Sequence, residues 1–243
     1  MKIAFISDIH GNSWALRAVL DDIKAKGISE IYDLGDSLYG PLDPDGAFRL
    51  LTDQKVYSIC GNQDRYIFES QEEDDKNPTL RFVRDQLSKE ALCWLKSLPK
   101  SRIVQDQIFL CHGIPANDSE YLLEELHNEY VGIKDFNRIE AMMMDVKQKN
   151  VVCGHSHRPS LVETPERIII NSGSVGLPAY SNDIPVPHKI ENFSPMARYC
   201  ILDLSKNIKV EHVAVSYDFE NAAIAADMHK RPDWANWLRT GTA

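Results

Sequence analysis

The chain has 243 residues, 43% of them hydrophobic, with a formal net charge of −9. That apolar fraction supports a substantial core, and no run of about 18 apolar residues offers a membrane span. The acidic balance excludes broad binding to nucleic acid, which needs a basic surface, and weakens a nuclease reading. Residues 2–7 read as a buried strand, a short apolar run closed by polar residues. Met1 to Ile6 lead straight into a polar block, too short a run for a signal peptide, so a cytoplasmic location is expected. Residues 13–26 carry helical spacing through Trp14, Leu16, Val19, Leu20 and Ile23, with Asn12 or Ser13 as cap and Gly27 as stop. Strands at 30–34 and 55–60 flank a helix near 45–53, an alternation that implies a parallel sheet with right-handed crossovers.

The charged stretch 69–77 reads as a solvated loop. A helix is expected over 79–97, ending before Pro99, then a strand over 104–111. Further helices are expected at 119–128 and 136–149, with Met142 to Met144 in the core of the latter. Residues 151–153 and 167–170 read as strands. Residues 197–204 and 208–215 alternate as strands of a second sheet, followed by a helix at 219–228. Residues 176–196 hold four prolines and little periodicity, which predicts a long loop. The whole suggests two sheets face to face with helices outside, in a single domain over 1–243.

Five polar blocks punctuate the chain: Asp8-Ile9-His10-Gly11-Asn12, Gly35-Asp36, Gly61-Asn62-Gln63-Asp64, His112-Gly113 and Gly154-His155-Ser156-His157. They supply carboxylate, amide and imidazole ligands where strands give way to loops, a set suited to two adjacent metal ions. Asp8 and His10 are two apart, so on a strand both point the same way. Carboxylate with imidazole suits Mn, Fe or Zn. Gly35 lets the backbone come close to the site, and Asp36 can bridge two ions with its two oxygens. Asn62 offers an amide oxygen. His155 and His157 sit in a turn where they can address different ions. Each block alone is weak: a lone Asp-x-His or Gly-Asp is ordinary turn chemistry, and His112 alone would be a core histidine. Their order and strand-end placement carry the joint reading. The five cysteines have no disulfide pattern. Cys60, Cys111 and Cys153, beside the blocks, read as packing residues rather than ligands.

This order of motifs resembles the calcineurin-like metallophosphoesterases, whose pattern is D-x-H, G-D, G-N-H-D, a later H, and G-H-x-H. The resemblance runs over nearly the whole chain. It implies an α/β fold, a four-layer α/β/β/α sandwich of two mixed sheets, with a dimetal site at the strand ends. It assigns Asp8, His10, Asp36 and His157 to one ion, and Asp36 (bridging), Asn62, His112 and His155 to the other. The ions would be divalent or trivalent, Mn first, with Fe, Zn or Ni as alternatives. A bridging hydroxide would attack phosphorus, and His112 or His155 would stabilise the developing charge. Asn171-Ser172-Gly173-Ser174-Val175-Gly176 is similar to the N-P-G-S-V-G loop of the bacterial and archaeal branch. Tyr39-Gly40-Pro41 and the tail Leu238-Arg239-Thr240-Gly241 look like a branch related to diadenosine tetraphosphatases and small protein phosphatases.

One departure falls inside a motif. The family usually has His in the third place of G-N-H-D, held by the following Asp and protonating the leaving oxygen; this chain has Gln63 before Asp64. Glutamine donates a hydrogen bond but transfers no proton near neutral pH. Leaving groups already stable as anions should suffer least, which points to phosphodiester, phosphoanhydride or aryl phosphate bonds. Metal-bound water or another histidine would be the replacement acid, His127 and His188 among the candidates. Arg65, Tyr66 and Arg158 are candidates to reach phosphate, with surface ion pairing as the alternative for the arginines. Tyr39 either stacks on a base or packs. Trp234 and Trp237 anchor the tail to the body or to a second copy in a homodimer. His212 and His229 have no motif context. The expected partner is a small phosphorylated, nucleotide-like substrate. The rival readings are an inactive metal-binding interaction module and a protein Ser/Thr phosphatase.

Overall fold

The computed structural model describes residues 1–70, 76–127, 130–205 and 208–243. In chain order the elements are β1 (Lys2–Ile6), α1 (Ser13–Ala25), β2 (Ile31–Asp33), α2 (Pro44–Asp53), β3 (Tyr57–Ser58), α3 (Asn62–Glu69), α4 (Pro78–Gln86) and α5 (Lys89–Ser97). The second half runs β4 (Ser101–Val104), β5 (Ile108–Cys111), β6 (Glu124–Leu126), β7 (Val131–Ile133), α6 (Phe136–Met142), β8 (Asn150–Cys153), β9 (Ser160–Glu163) and β10 (Ile168–Asn171). It closes with β11 (Ala179–Asn182), β12 (His188–Glu191), β13 (Ala197–Asp203), β14 (Lys209–Val215), α7 (Phe219–Met228) and α8 (Pro232–Thr240).

Two five-stranded mixed sheets form the centre, with orders β14-β13-β1-β2-β3 and β4-β5-β8-β10-β9. β1, β2 and β3 are parallel, as are β5, β8 and β10; antiparallel strands flank both sets. The period of two along each strand sorts the layers. Ile3 and Phe5 face the other sheet and join Leu110, Val152, Ile170 and Leu202 in the core between them. Ala4 and Ile6 face the opposite way, onto Leu16, Val19 and the other buried residues of α1. Val151, Cys153 and Ile169 pack against Ile139 of α6 and Met143. The result is the expected four-layer α/β/β/α sandwich. Asn12 caps α1, its side chain accepting from the backbone N–H of Ala15 at 3.0 Å.

Several elements differ from expectation. Residues 79–97 form two helices, because Ser88 caps a new one by accepting from Ala91 N–H. The run 104–111 is half of a hairpin: β4 pairs with β5 around a turn where Gln105 and Asp106 are both left-handed. Where a helix was expected over 119–128, the described residues fold into the β6–β7 hairpin. α6 stops at Met142; Met143 is buried, but Met144 is exposed. The supposed loop 176–196 contains the β11–β12 hairpin. Residues 197–215 extend the first sheet through β13 beside β1, not the second. Alternation marks a half-buried strand without naming its neighbour. Residues 71–75 of the charged stretch lie outside the described residues. Among the described residues, no helix is long and apolar enough to cross a membrane.

Candidate metal centre

The site is built on strand ends. Asp8 and His10 follow β1, Asp36 follows β2, and Asn62 opens α3 after β3. His112 follows β5, and His155 and His157 follow β8. In open α/β sheets the carboxyl ends of parallel strands are where ligands bind. Asp8, His10, Asp36, His155 and His157 all adopt left-handed backbone, with φ between 53° and 68°. For such residues this conformation costs roughly 1–3 kcal/mol each and persists only where the surroundings impose it. So Asp8 and His10 do not share a face by strand periodicity, since β1 ends at Ile6; the left-handed turns after the strand aim them instead.

Backbone hydrogen bonds between the loops impose those turns. Asp8 N–H donates to Gly35, His10 N–H to Asp36 and Gly11 N–H to Ser37, each at 2.9 Å. Gly154 N–H donates to the carbonyl of His112 at 2.9 Å, tying the ends of β5 and β8. The Asn171 to Gly176 segment braces the ligand loops from behind: Val175 and Gly176 N–H donate to Ser7 and Asp8, and the Asn171 amide donates to Gly154 O. Gly35 has φ +96°, and a Cβ there would stand 2.4 Å from Gly61 N, the close approach its position predicted. At Gly176 a Cβ would meet Ile9 O at 1.7 Å.

The imidazoles are oriented by backbone carbonyls. Nδ1 of His10, His112 and His157 bonds Tyr39 O at 2.9 Å, Leu34 O at 2.8 Å and Leu177 O at 2.7 Å. A carbonyl only accepts, so each Nδ1 carries the hydrogen and each Nε2 faces the site, the arrangement that metal-binding histidines use. Two clusters result. Ligand atoms of Asp8, His10 and His157 lie within 4.8 Å of one another, as do those of Asp36, His112 and His155. Asn62 Oδ1 is 3.0 Å from His112 Nε2 and adds an amide oxygen to the second cluster.

The donor set fits cations. Asp8 Oδ1 is buried without a hydrogen-bond partner, 3.3 Å from His157 Nε2. The Nε2 atoms of His10 and His157 are 3.1 Å apart. Burial and His157 push His10 down to about 4, and burial and His112 push His155 down to about 4, so both rings are neutral lone-pair donors at neutral pH. His112 moves the other way, up to about 10: burial opposes its charge, but Asp36, with an oxygen 3.3 Å away, outweighs burial. Asp36 stays well below the usual carboxylate range despite burial, because His112, His10 and His155 all act on it; it feels both clusters. Neither cluster includes a cysteine, and burial pushes the Cys111 thiol up to about 12.

Residues 1–188 match the model of the calcineurin-like phosphoesterase superfamily domain. The chain belongs to the calcineurin-like phosphoesterase superfamily. An uncharacterized protein of Methanocaldococcus jannaschii is 28% identical over 244 residues, spanning 96% of this chain and 94% of that protein. The solved metallophosphoesterase of Sphaerobacter thermophilus shares the fold at 24% identity, with TM-score 0.76 and 99% of each chain covered. A hypothetical protein of Pyrococcus horikoshii does so at 23% identity, with TM-score 0.76, over 99% of this chain and 98% of that one. Calcineurin-like phosphoesterases depend on two metals, and the two clusters are two candidate metal sites.

The remaining residues singled out in the sequence separate clearly within this calcineurin-like site. Gln63 lines the metal cleft, a cavity of about 380 Å³; its N–H donates to Asp36 at 2.8 Å, and its buried Oε1 has no partner. Asp64 makes no hydrogen bond to Gln63. It accepts from the backbone N–H groups of Ser37 and Leu38 at 3.0 Å and Gly61 at 3.3 Å, and so braces the loop that carries Asp36. Arg65 turns away from the cleft into a two-pronged ion pair with Asp118, at 2.8 and 2.6 Å, and pairs with Glu69. Arg158 donates to Val131 O and lines an outer cavity. Tyr39 is buried, lines the cleft, and holds His10 through its carbonyl. Trp234 and Trp237 pack into the main core and also line the cleft, with Trp234 edge-on to His10 at 5.7 Å. His229 packs on Phe82, and His212 bonds Asn171 O.

Among the cleft residues that the sequence did not mark are Asn77, Tyr121, Tyr180 and Arg231. Tyr121 lay in a segment read as helix and Tyr180 in one read as loop. Each comes to the cleft through a tertiary contact for which the sequence holds no local signal.

Proposed function

We propose that this calcineurin-like protein is a dimetal-dependent hydrolase of phosphodiester, phosphoanhydride or aryl phosphate bonds. Asp8, His10, Asp36 and His157 would hold one ion, and Asp36, Asn62, His112 and His155 the other. Mn is the first candidate, with Fe, Zn or Ni as alternatives. When bound, such ions supply Lewis acidity toward a phosphoryl group and favour attack by water on phosphorus. The observation that carries the reading is the convergence of two acceptor clusters in one cleft with Gln63 in its wall.

The chain's own residues set the preference. Gln63 can hydrogen-bond a phosphoryl oxygen or leaving oxygen but holds no proton to give. That favours leaving groups stable as anions: phosphates, nucleotides and aryl oxides. Arg231, half-buried beside Trp234, lines the cleft; its guanidinium forks onto Asp233 at 2.9 and 2.6 Å and bonds Thr79, so a phosphate there would share it with Asp233. The cleft adjoins a cavity of about 500 Å³ that shares Asn62, Tyr121, His155 and Asn182 with it. The first would take a phosphate and the second a nucleotide-sized group, and their adjacency supports a small, nucleotide-like substrate.

The test is metal analysis followed by turnover of a bis-aryl phosphate, an aryl phosphate, a dinucleoside polyphosphate and a phosphopeptide with added Mn. Hydrolysis of the first three ahead of the phosphopeptide is expected. Bound metal without turnover of any substrate would instead make the chain a metal-binding interaction module.

A further inference from the structure

The β11–β12 hairpin separates two cavities. On one side lies the metal cleft, lined by Tyr121 and Tyr180. On the other lies an outer cavity of about 610 Å³, lined by His188. The three side chains form a continuous hydrogen-bonded chain through that wall. Tyr180 Oη is 2.5 Å from Tyr121 Oη, and Tyr121 Oη is 2.8 Å from His188 Nε2. His188 Nδ1 donates to Val186 O at 2.7 Å, which fixes the tautomer and commits Nε2 to Tyr121. At the cleft end the Tyr121 ring lies against His155 at 4.8 Å and the Tyr180 ring against His157 at 4.7 Å. The buried Lys134 ammonium holds the Tyr121 carbonyl and Glu124 O, which pins Tyr121 in place.

We infer that Tyr180, Tyr121 and His188 form a proton path from the outer cavity to the metal cleft, supplying the leaving-group proton that Gln63 cannot. This rests on the phosphoesterase reading above. The chain has two senses. With His188 neutral, Tyr121 donates to its Nε2 and Tyr180 donates to Tyr121, so the cleft end is an acceptor. With His188 protonated, Nε2–H donates to Tyr121, Tyr121 donates to Tyr180, and the Tyr180 hydrogen, for which His155 O at 3.4 Å is the acceptor in this structure, is free to turn to an oxygen bound in the cleft. As the P–O bond breaks, its electron pair stays on the leaving oxygen, which bonds the Tyr180 hydrogen. Tyr180 takes the hydrogen of Tyr121, and Tyr121 takes the Nε2 hydrogen of His188. His188 is left neutral and regains a hydrogen ion from bulk solvent through the outer cavity, which balances the one that the attacking water releases. His188 faces Tyr121 and Tyr180 on the cleft side. It shares the outer cavity with His127, Arg158, Asp183, Lys189 and Glu191. The path gives His188 the replacement-acid role through two tyrosines and leaves His127 outside the chain.

The experiment uses the Mn-loaded full chain and its Tyr180→Phe, Tyr121→Phe and His188→Gln variants. The substrates are aryl phosphates of rising leaving-group pKa, with methyl phosphate at the far end. Each variant is expected to lose about 10²-fold on methyl phosphate, the lower range for one general acid, and under about threefold on nitrophenyl phosphate. The slope of log kcat against leaving-group pKa steepens while Mn content holds. In parallel, 15N NMR of the unaltered protein should show neutral His188 as the Nδ1–H tautomer. Equal losses on all substrates, no loss on any, or an Nε2–H tautomer would overturn the path. If a variant no longer holds Mn, the tautomer and the other two variants decide. No turnover by the unaltered Mn-loaded protein overturns the phosphoesterase reading and the path with it, whereas turnover with equal losses overturns the path alone.

Discussion

Nε2 of His10 and Nε2 of His157 stand 3.1 Å apart, although each ring has given its Nδ1 hydrogen to a backbone carbonyl. Both Nε2 atoms are thereby turned toward one point, where a shared cation would draw on both. Asp8 Oδ1, buried and without a hydrogen-bond partner, stands beside the pair.

That relationship makes His157 a selective handle. His157→Ala should reduce bound Mn from about two per chain to about one, as expected for losing one ligand of a small set. It should also shrink the rise in melting temperature that Mn produces. Elemental analysis and thermal unfolding with and without chelator read both effects. Full retention of two ions would remove His157 from the ligand set.

The cluster of Asp36, His112 and His155 ties metal binding to pH. His112 is pushed up to about 10 despite burial, chiefly by Asp36, so below that pH a cation must displace its proton. The sign follows: affinity rises with pH up to about 10 and falls about tenfold per pH unit on lowering it. His10 and His155, at about 4, are already neutral at pH 7 and release nothing. Calorimetry in buffers of different ionisation enthalpy should count about one imidazole proton released per chain.

Gln63→His would restore a group able to transfer a proton at the cleft wall. The ratio of alkyl to aryl phosphate turnover should rise at least about tenfold, given that a positioned general acid is worth about 10²–10⁴. The gain should be larger in a Tyr180→Phe background. A ratio that stays put in both backgrounds would mean that Gln63 does not set leaving-group preference.

Asp64 acts through the loop that follows Asp36. Asp64→Ala would leave the buried N–H groups of Ser37, Leu38 and Gly61 without their acceptor. Each such loss costs about 1–3 kcal/mol, so destabilisation of at least about 3 kcal/mol is expected in denaturant unfolding. Metal affinity should weaken with it, since the Asp36 turn loses its brace.

The blocks that build the two candidate clusters were legible because they are local. Asp8, His10, Asp36, Asn62, His112, His155 and His157 each sit within a few residues of an apolar run, and a strand end is visible in sequence. The short apolar run of residues 2–7 and the spacing of Leu16, Val19 and Ile23 marked β1 and α1 for the same reason. The errors came where one signal served two structures. An apolar run over 104–111 concealed a turn at Gln105 and Asp106. Four prolines over 176–196 concealed a hairpin whose prolines lie outside its paired strands. The alternation at 197–215 was right about strands and silent about which sheet they join.

Sequence by itself therefore determined the chemistry at the centre: acceptor residues at strand ends in a fixed order, and a glutamine where a proton donor would stand. Only the tertiary structure decided what surrounds it. It turned Arg65 toward Asp118 and brought Arg231 into the cleft. It gave Asp64 to the backbone of Ser37 and Leu38, and it joined Tyr121, Tyr180 and His188 from segments 59 and 67 residues apart. The physical reason is range. Ligand spacing along a strand end is governed by covalent geometry over a few residues, whereas the partner of a buried hydroxyl or guanidinium is governed by which surfaces pack together.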